Sequence, residues 1–444
     1  MMSADASDYY SPKLHAWYSA PLSTLPTAAD VIDLYPNPVG YGTGMEDNPL
    51  FNGVLLVALV DLYYLTPTDD IRREAFDIYT GLKLCATAHG IPGFISRGIC
   101  IEDGKSTYIT SSRDQYTHYV DGLWQYYHSP MCDESTQAEI RTQLSLLADT
   151  MKREITPEND YGYLRADGSK DPRGLHKMWH VYPHEAARLP MIYAAAWDVT
   201  GNQEYYELYR KYLVPSIDQS ITLKTRPQAE VNTWVPAYSF FQMQCSLALL
   251  YRLEKDAAVK AKIVEAMSIA KSMAENKFDW AARIGLRHLS ELLLASMIVE
   301  DLPVTADQRK RIDTMFVSTN LKKGQMATTL HQFALYAKAC RAKIIPSPES
   351  YPKASWTPAV DESLRGVPAN VKPTVRRVAL TRHDPDLVVF IADCHVGNGS
   401  QTDQVKAQQA KSNLDNFNKT CEMILAVKPL PKTVIILGDL AFAE

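Results

Sequence analysis

Apolar positions recur at steps of three and four through most of the first 345 residues, the spacing of helices that bury one face. Ile71, Ala75, Ile78, Leu82 and Cys85 mark such a stripe over 70–88. Ile140, Leu144, Leu147 and Met151 mark another over 134–154. The stretch 50–65 is apolar nearly all round, as a helix enclosed by others would be. The same reading predicts helices over 114–128, 184–199, 203–213, 238–253, 257–276, 279–300, 305–317 and 325–342. Turn signals such as Thr200-Gly201-Asn202 and Asp301-Leu302-Pro303 separate them. Two long loops, 90–112 and 156–183, interrupt the run. Hardly a strand candidate stands among these paired helices. The pattern predicts a mainly α fold, an α/α toroid of helix hairpins over 1–345, with an open helical solenoid as the competing arrangement.

The pattern changes near residue 345. Pro346, Pro348, Pro352, Pro358, Pro368, Pro373 and Pro385 crowd the stretch 346–385. Proline at that density blocks both helix and central strand, so a Pro-rich linker is predicted there. Two continuous apolar runs follow, Leu387 to Ile391 and Thr433 to Leu437, of the kind found in strands buried on both faces. A helical stretch over roughly 403–427 separates them, which predicts a short βαβ unit within 386–444. So small a unit is marginal alone, and it reads as the incomplete first part of a larger domain.

Composition then narrows the function. Lys+Arg 46 against Asp+Glu 51 leave a formal net charge of -5. With no basic excess to neutralise phosphates, a nucleic-acid partner is not expected. The longest apolar run, Val54 to Val60, stops at Asp61 and is too short to span a bilayer. The first residues show no basic segment leading into an apolar one, so a cytoplasmic protein without a membrane partner is the expectation. The seven cysteines include no C-x-x-C pair, which argues against a disulfide framework and a structural zinc knot.

Three clusters of chemistry-bearing residues lie where a loop enters a helix. The first holds Glu46 and Asp47, the second Arg113, Asp114, Tyr116 and His118, the third Trp179, His180, His184 and Glu185, with Arg188 one turn on. In a helical ring the inner helix ends line one mouth, so polar groups at those ends converge. A glycosidase needs two carboxylates flanking the scissile bond, one protonated and one ionised; Glu46 or Asp47 with Asp114 and Glu185 could supply them. A lyase would instead need His or Tyr as base beside an arginine that neutralises a uronate, and His184 is a candidate for such a role. The structural alternatives are an N-cap for Asp114 and a macrodipole-favoured acid for Glu185. The glycines at 40, 42 and 44 follow no strand and do not make a nucleotide loop.

The runs GMEDNPLFNG, SSRDQYTHYVDGLWQYYHSP and HEAARLPMIYAAAWDVTG resemble an uncharacterised group of bacterial six-hairpin, glycosidase-like toroid proteins, over about 9–345. The resemblance implies a carbohydrate-active hydrolase acting on an oligosaccharide or polysaccharide fragment. It implies no cofactor for the helical part. Catalytic candidates are Glu46, Asp47, Asp114, His184 and Glu185, and substrate-binding candidates Arg113, Tyr116, His118, Trp179, His180 and Arg188. A polysaccharide lyase or a non-catalytic glycan-binding toroid are the alternatives. Near the C-terminus, the runs FIADCHVG and IILGDL resemble the opening motifs of calcineurin-like metallophosphoesterases. That resemblance implies a divalent metal (Mn, Fe or Zn) held by Asp393, His395 and Asp439. Three ligands make an incomplete set, so weak metal binding and no phosphodiesterase activity are expected of this segment alone.

Overall fold

A computed structural model describes residues 9–297, 303–317, 330–346, 388–391 and 434–437. The chain divides into two compact units, Met1–Val367 and Pro368–Glu444.

The first unit opens on two three-residue strands, β1 (Tyr9–Ser11) and β2 (Ala16–Tyr18), paired antiparallel with Tyr10 opposite Trp17. A short helix follows, α1 (Ala28–Ile32), closed at its start by the Thr27 side chain on the Asp30 amide. Then come α2 (Asn48–Leu65), α3 (Asp69–Thr87), α4 (Arg113–Tyr127), α5 (Glu134–Glu154), α6 (Arg188–Thr200) and α7 (Gln203–Ile221). They are followed by α8 (Gln228–Trp234), α9 (Ala237–Leu253), α10 (Ala257–Glu275), α11 (Phe278–Ile284), α12 (Leu286–Met297), α13 (Ala306–Val317) and α14 (Leu330–Arg341).

Six of these helices form a closed circuit. The helices α2, α4, α6, α9, α12 and α14 pack each on the next, and α14 packs back on α2. They are buried on almost every side, whereas α3, α5 and α10 bury one stripe each against them. The tightest approach joins α2 to α4. A methyl group on Gly53 would lie 2.2 Å from the His118 carbonyl oxygen, and one on Gly122 would lie 2.9 Å from the Gly53 Cα. Only hydrogen fits between these two backbones. The apolar α2 has a length and composition that could cross a membrane, yet 72% of it is buried inside this unit.

The expected fold, a toroid followed by a linker and a terminal βαβ unit, is corrected in its strands. The hairpin of β1 and β2 precedes the helices, where the sequence showed no strand. Three-residue strands are too short to display a period of two. What holds them is the side chains of α2: Asn48 Nδ2 donates to the Trp17 carbonyl, and Asn52 Nδ2 to the His15 carbonyl at 2.7 Å. In the second unit the described residues are two four-residue strands, β3 (Val388–Ile391) and β4 (Val434–Leu437), paired in parallel with Val388 opposite Val434. The helix expected between them lies outside the described residues, so no βαβ unit is established there.

Candidate functional site

The first turns of the inner helices meet, and their side chains interlock. On α4, Gln115 Nε2 donates to Asp47 Oδ1 at 2.8 Å, and Gln115 Oε1 accepts from the Leu50 amide of α2 at 3.2 Å. Arg188, at the start of α6, donates to Asp114 Oδ1 on α4 at 2.7 Å and to Gln242 Oε1 on α9 at 2.6 Å. Arg113 Nε donates to Glu185 Oε1 at 2.6 Å, and Arg188 Nη1 stands 4.0 Å from the same oxygen. Arg97 reaches Asp47 at 3.2 Å. Three carboxylates and three guanidiniums are thereby drawn together over the positive ends of helix dipoles, where acids are favoured. Tyr41 adjoins this network, with the Arg97 and Arg173 guanidiniums each 4.8 Å from its ring centre.

The acids are not equivalent. Burial raises the pKa of Asp47 above the usual carboxylate range, against the pull of Arg97, Arg287 and the Gln115 amide, and the charge of Asp114 adds to the rise. Burial alone would raise Glu185 as well. Arg113, His184 and Arg188 overcome it and hold Glu185 at about 2. Burial, which Glu185 only partly offsets, lowers His184 to about 4, so its imidazole is neutral at pH 7. The network thus contains one carboxyl tuned toward keeping its proton and one locked as an anion.

Other candidates have different partners. Glu46 turns back on its own loop, accepting from the amides of Gly42, Thr43 and Gly44 at 3.2, 3.2 and 3.0 Å. That loop uses glycine at 40, 42 and 44 because all three have φ between 76° and 80°. Burial and the nearby charge of Asp47 raise the Glu46 pKa despite these amides. Asp114 does not cap its helix: the N-cap is Ser112, and the Asp114 carboxylate takes Arg188 instead. The helix expected over 184–199 starts only at Arg188, because Pro183–Glu185 is a 3-10 turn, so His184 and Arg188 do not share a helical face. The His184 ring is buried and stacks on Tyr182, 5.7 Å away. Tyr116 is a core residue whose hydroxyl accepts from the Ile95 amide at 3.1 Å. Trp179 packs edge-on against Tyr212, and the exposed His180 against Tyr161.

Below the mouth, the inner faces continue as a buried polar column. Glu291 on α12 takes Arg287 Nε at 3.0 Å and lies 3.5 Å from His331 of α14. Burial would raise Glu291, but Arg287 and His331 hold it at about 2. His118 is next, 5.1 Å from the Phe241 ring, with burial lowering it to about 3. One turn deeper on α4 sits Asp121, beside Cys245 of α9. The ligating atoms of His118, Asp121 and Cys245 all lie within 4.8 Å of one another, close enough to share a metal ion. At the far end, Asp61 of α2 binds Lys338 at 2.8 Å and Arg341 at 2.6 Å.

The sequence missed Arg97, Tyr41, Gln115 and Gln242 at the mouth, and Asp121 and Cys245 below it. Arg97 and Tyr41 sit in loops without a helical period. The other four lie on inner helix faces, where a polar residue among apolar ones was the available signal. The expected metal ligands Asp393, His395 and Asp439 lie outside the described residues. No known family model matches this chain, and no curated protein matches it.

Proposed function

We propose that the mouth of the helical unit binds and hydrolyses an oligosaccharide or polysaccharide fragment, with Asp47 as proton donor and Asp114 as the carboxylate partner. One observation carries this reading. Asp47 and Asp114 start adjacent helices, and burial together with the charge of Asp114 raises the Asp47 pKa while Arg188 pairs with Asp114 at 2.7 Å. That asymmetry is what glycoside hydrolysis requires of its two acids. The partly buried Tyr238 offers a flat face of the kind that packs on sugar rings. Glu185, locked by Arg113, is assigned to positioning Arg113 and Arg188.

A second reading has its own support. Asp114 and Glu185 are each already neutralised by a guanidinium, as in a mouth that binds glycan without cleaving it. Incubating the full chain with oligosaccharide pools and weighing the products separates the readings. Hydrolysis adds water across the bond, elimination leaves a double bond in the sugar, and binding alone leaves the pool unchanged. Hydrolysis products that vanish in Asp47→Asn support the proposal; unsaturated products or an unchanged pool contradict it.

For the C-terminal segment the proposal is narrower: Asp393, His395 and Asp439 hold a divalent Mn, Fe or Zn ion weakly and support no phosphodiester cleavage. Turnover of bis-p-nitrophenyl phosphate with manganese, lost in Asp439→Asn, would contradict it.

A further inference from the structure

The column below the mouth contains a group that the glycan reading does not use. His118, Asp121 and Cys245 are 1%, 4% and 3% exposed. His118 and Asp121 are three residues apart on α4 and therefore share its inner face. Cys245 comes from α9, which packs directly on α4. The Nε2 atom of His118 is buried and has no hydrogen-bond partner among the described residues. A buried polar nitrogen left unpaired costs roughly a hydrogen bond or more, and in a native structure it calls for a partner that the described residues do not supply. Among the described residues Asp121 meets neutral donors at contact distance, the Gln125 amide at 2.9 Å and the Cys245 thiol. The nearest cations, Arg252 and Lys338, act on it from farther away.

We propose that His118, Asp121 and Cys245 form a zinc-class metal site with one open coordination position. The chemistry of the donors selects the ion: thiolate and imidazole together favour zinc or cobalt over magnesium or calcium. The charges also balance. A thiolate and a carboxylate cancel a divalent ion, so binding replaces a buried carboxyl and its neutral thiol neighbour with a neutral cluster. Zinc bonds of about 2.0–2.3 Å place tetrahedral donors about 3.3–3.8 Å apart. Donors now within 4.8 Å reach that geometry by side-chain movements of about 1 Å. Three protein ligands with a vacant fourth position are the arrangement of catalytic rather than structural zinc sites. The fourth position faces a cavity lined by Asp61, Asp121, Gln125, Cys245, Arg252 and Lys338. Gln125, Arg252 and Lys338 are only partly buried and give the ion a route in. The cavity opens beside Asp61, Arg252 and Lys338, away from the first turns of α2 and α4, and the glycan reading gives no role to any of the three ligands.

Cobalt(II) titration of the full, metal-stripped chain tests the proposal, because a cysteine ligand gives a thiolate-to-cobalt charge-transfer band. The expected result is one cobalt per chain with that band, displaced by zinc. The band should vanish in Cys245→Ser and persist in Cys394→Ser, which removes the thiol beside the C-terminal motif. Asp121→Asn, which keeps shape and the Gln125 contact, should weaken binding at least tenfold with an unchanged circular dichroism spectrum. It serves if Cys245→Ser fails to fold. Absence of the band in the unaltered chain overturns the site. So does a band that survives Cys245→Ser, or cobalt affinity unchanged in Asp121→Asn.

Discussion

Arg188→Met is the sharpest test of the charge network at the mouth. Arg188 is 1% exposed and ties α6 to α4 through Asp114 and to α9 through Gln242, with Glu185 4.0 Å away. Methionine keeps most of the aliphatic volume and removes the charge. Breaking a buried ion pair from one side costs about 3–5 kcal/mol, because the partner charge is stranded. Asp114 is 27% exposed and recovers some hydration, which places the loss near the lower end, about 3 kcal/mol. The roughly 300 described residues of this unit unfold with an entropy of about 0.6 kcal/mol/K, so the melting temperature should fall by about 5 °C. Differential scanning calorimetry at pH 7 reads this directly. Adding Asp114→Asn removes the stranded charge, so the double variant should be more stable than the two single losses summed, by about 1–2 kcal/mol. A melting point within about 1 °C of the unaltered protein, or strictly additive losses, would show that solvent screens this pair and that the network is not a structural keystone.

Other outcomes follow from the same geometry. Gly53→Ala drives a methyl into the His118 carbonyl, so it should cost at least about 1–3 kcal/mol and loosen the Gln115–Asp47 contact, seen as a lowered melting point. Glu185 has a folded pKa of about 2 against an ordinary 4.5. Its contribution, on the order of 3 kcal/mol, is therefore fully present above about pH 4.5 and is lost as pH falls toward 2. In Arg113→Met the folded pKa of Glu185 rises, so acid unfolding monitored by circular dichroism should begin at higher pH; an unmoved midpoint counts against Arg113 as the anchor. Asp61→Asn leaves Lys338 and Arg341 without their shared anion and should destabilise by about 3 kcal/mol without altering activity at the mouth, which a melt and an assay on one sample decide.

Much of the helical body was legible because burial on one face leaves a period in the chain. The helix α5 begins and ends where its stripe predicts, at Glu134 and Glu154. Where local rules conflict, the reading slipped. The helix α7 continues to Ile221 through Pro215, although proline usually ends a helix. One helix was expected over 279–300, but Gly285 separates α11 from α12. The seven-residue α8 was too short to show a stripe. At the site, residue type and position at helix starts pointed to Asp47, Asp114, Glu185 and Arg188. The pairing did not show, since Arg188 finds Asp114 across 74 residues and Arg341 finds Asp61 across 280. Such contacts are set by the closure of the helix circuit and leave no periodic trace.

The measurement closest to the central claim is release of reducing ends from oligosaccharide pools by the full chain and three variants of matched fold. The account predicts activity in the unaltered protein and a loss of at least about a hundredfold in Asp47→Asn and in Asp114→Asn, the scale of a removed acid or base. Glu46→Gln, whose carboxylate serves its own loop, should retain most of the rate. Equal rates in all four proteins, or loss in Glu46→Gln with retention in Asp47→Asn, would contradict it.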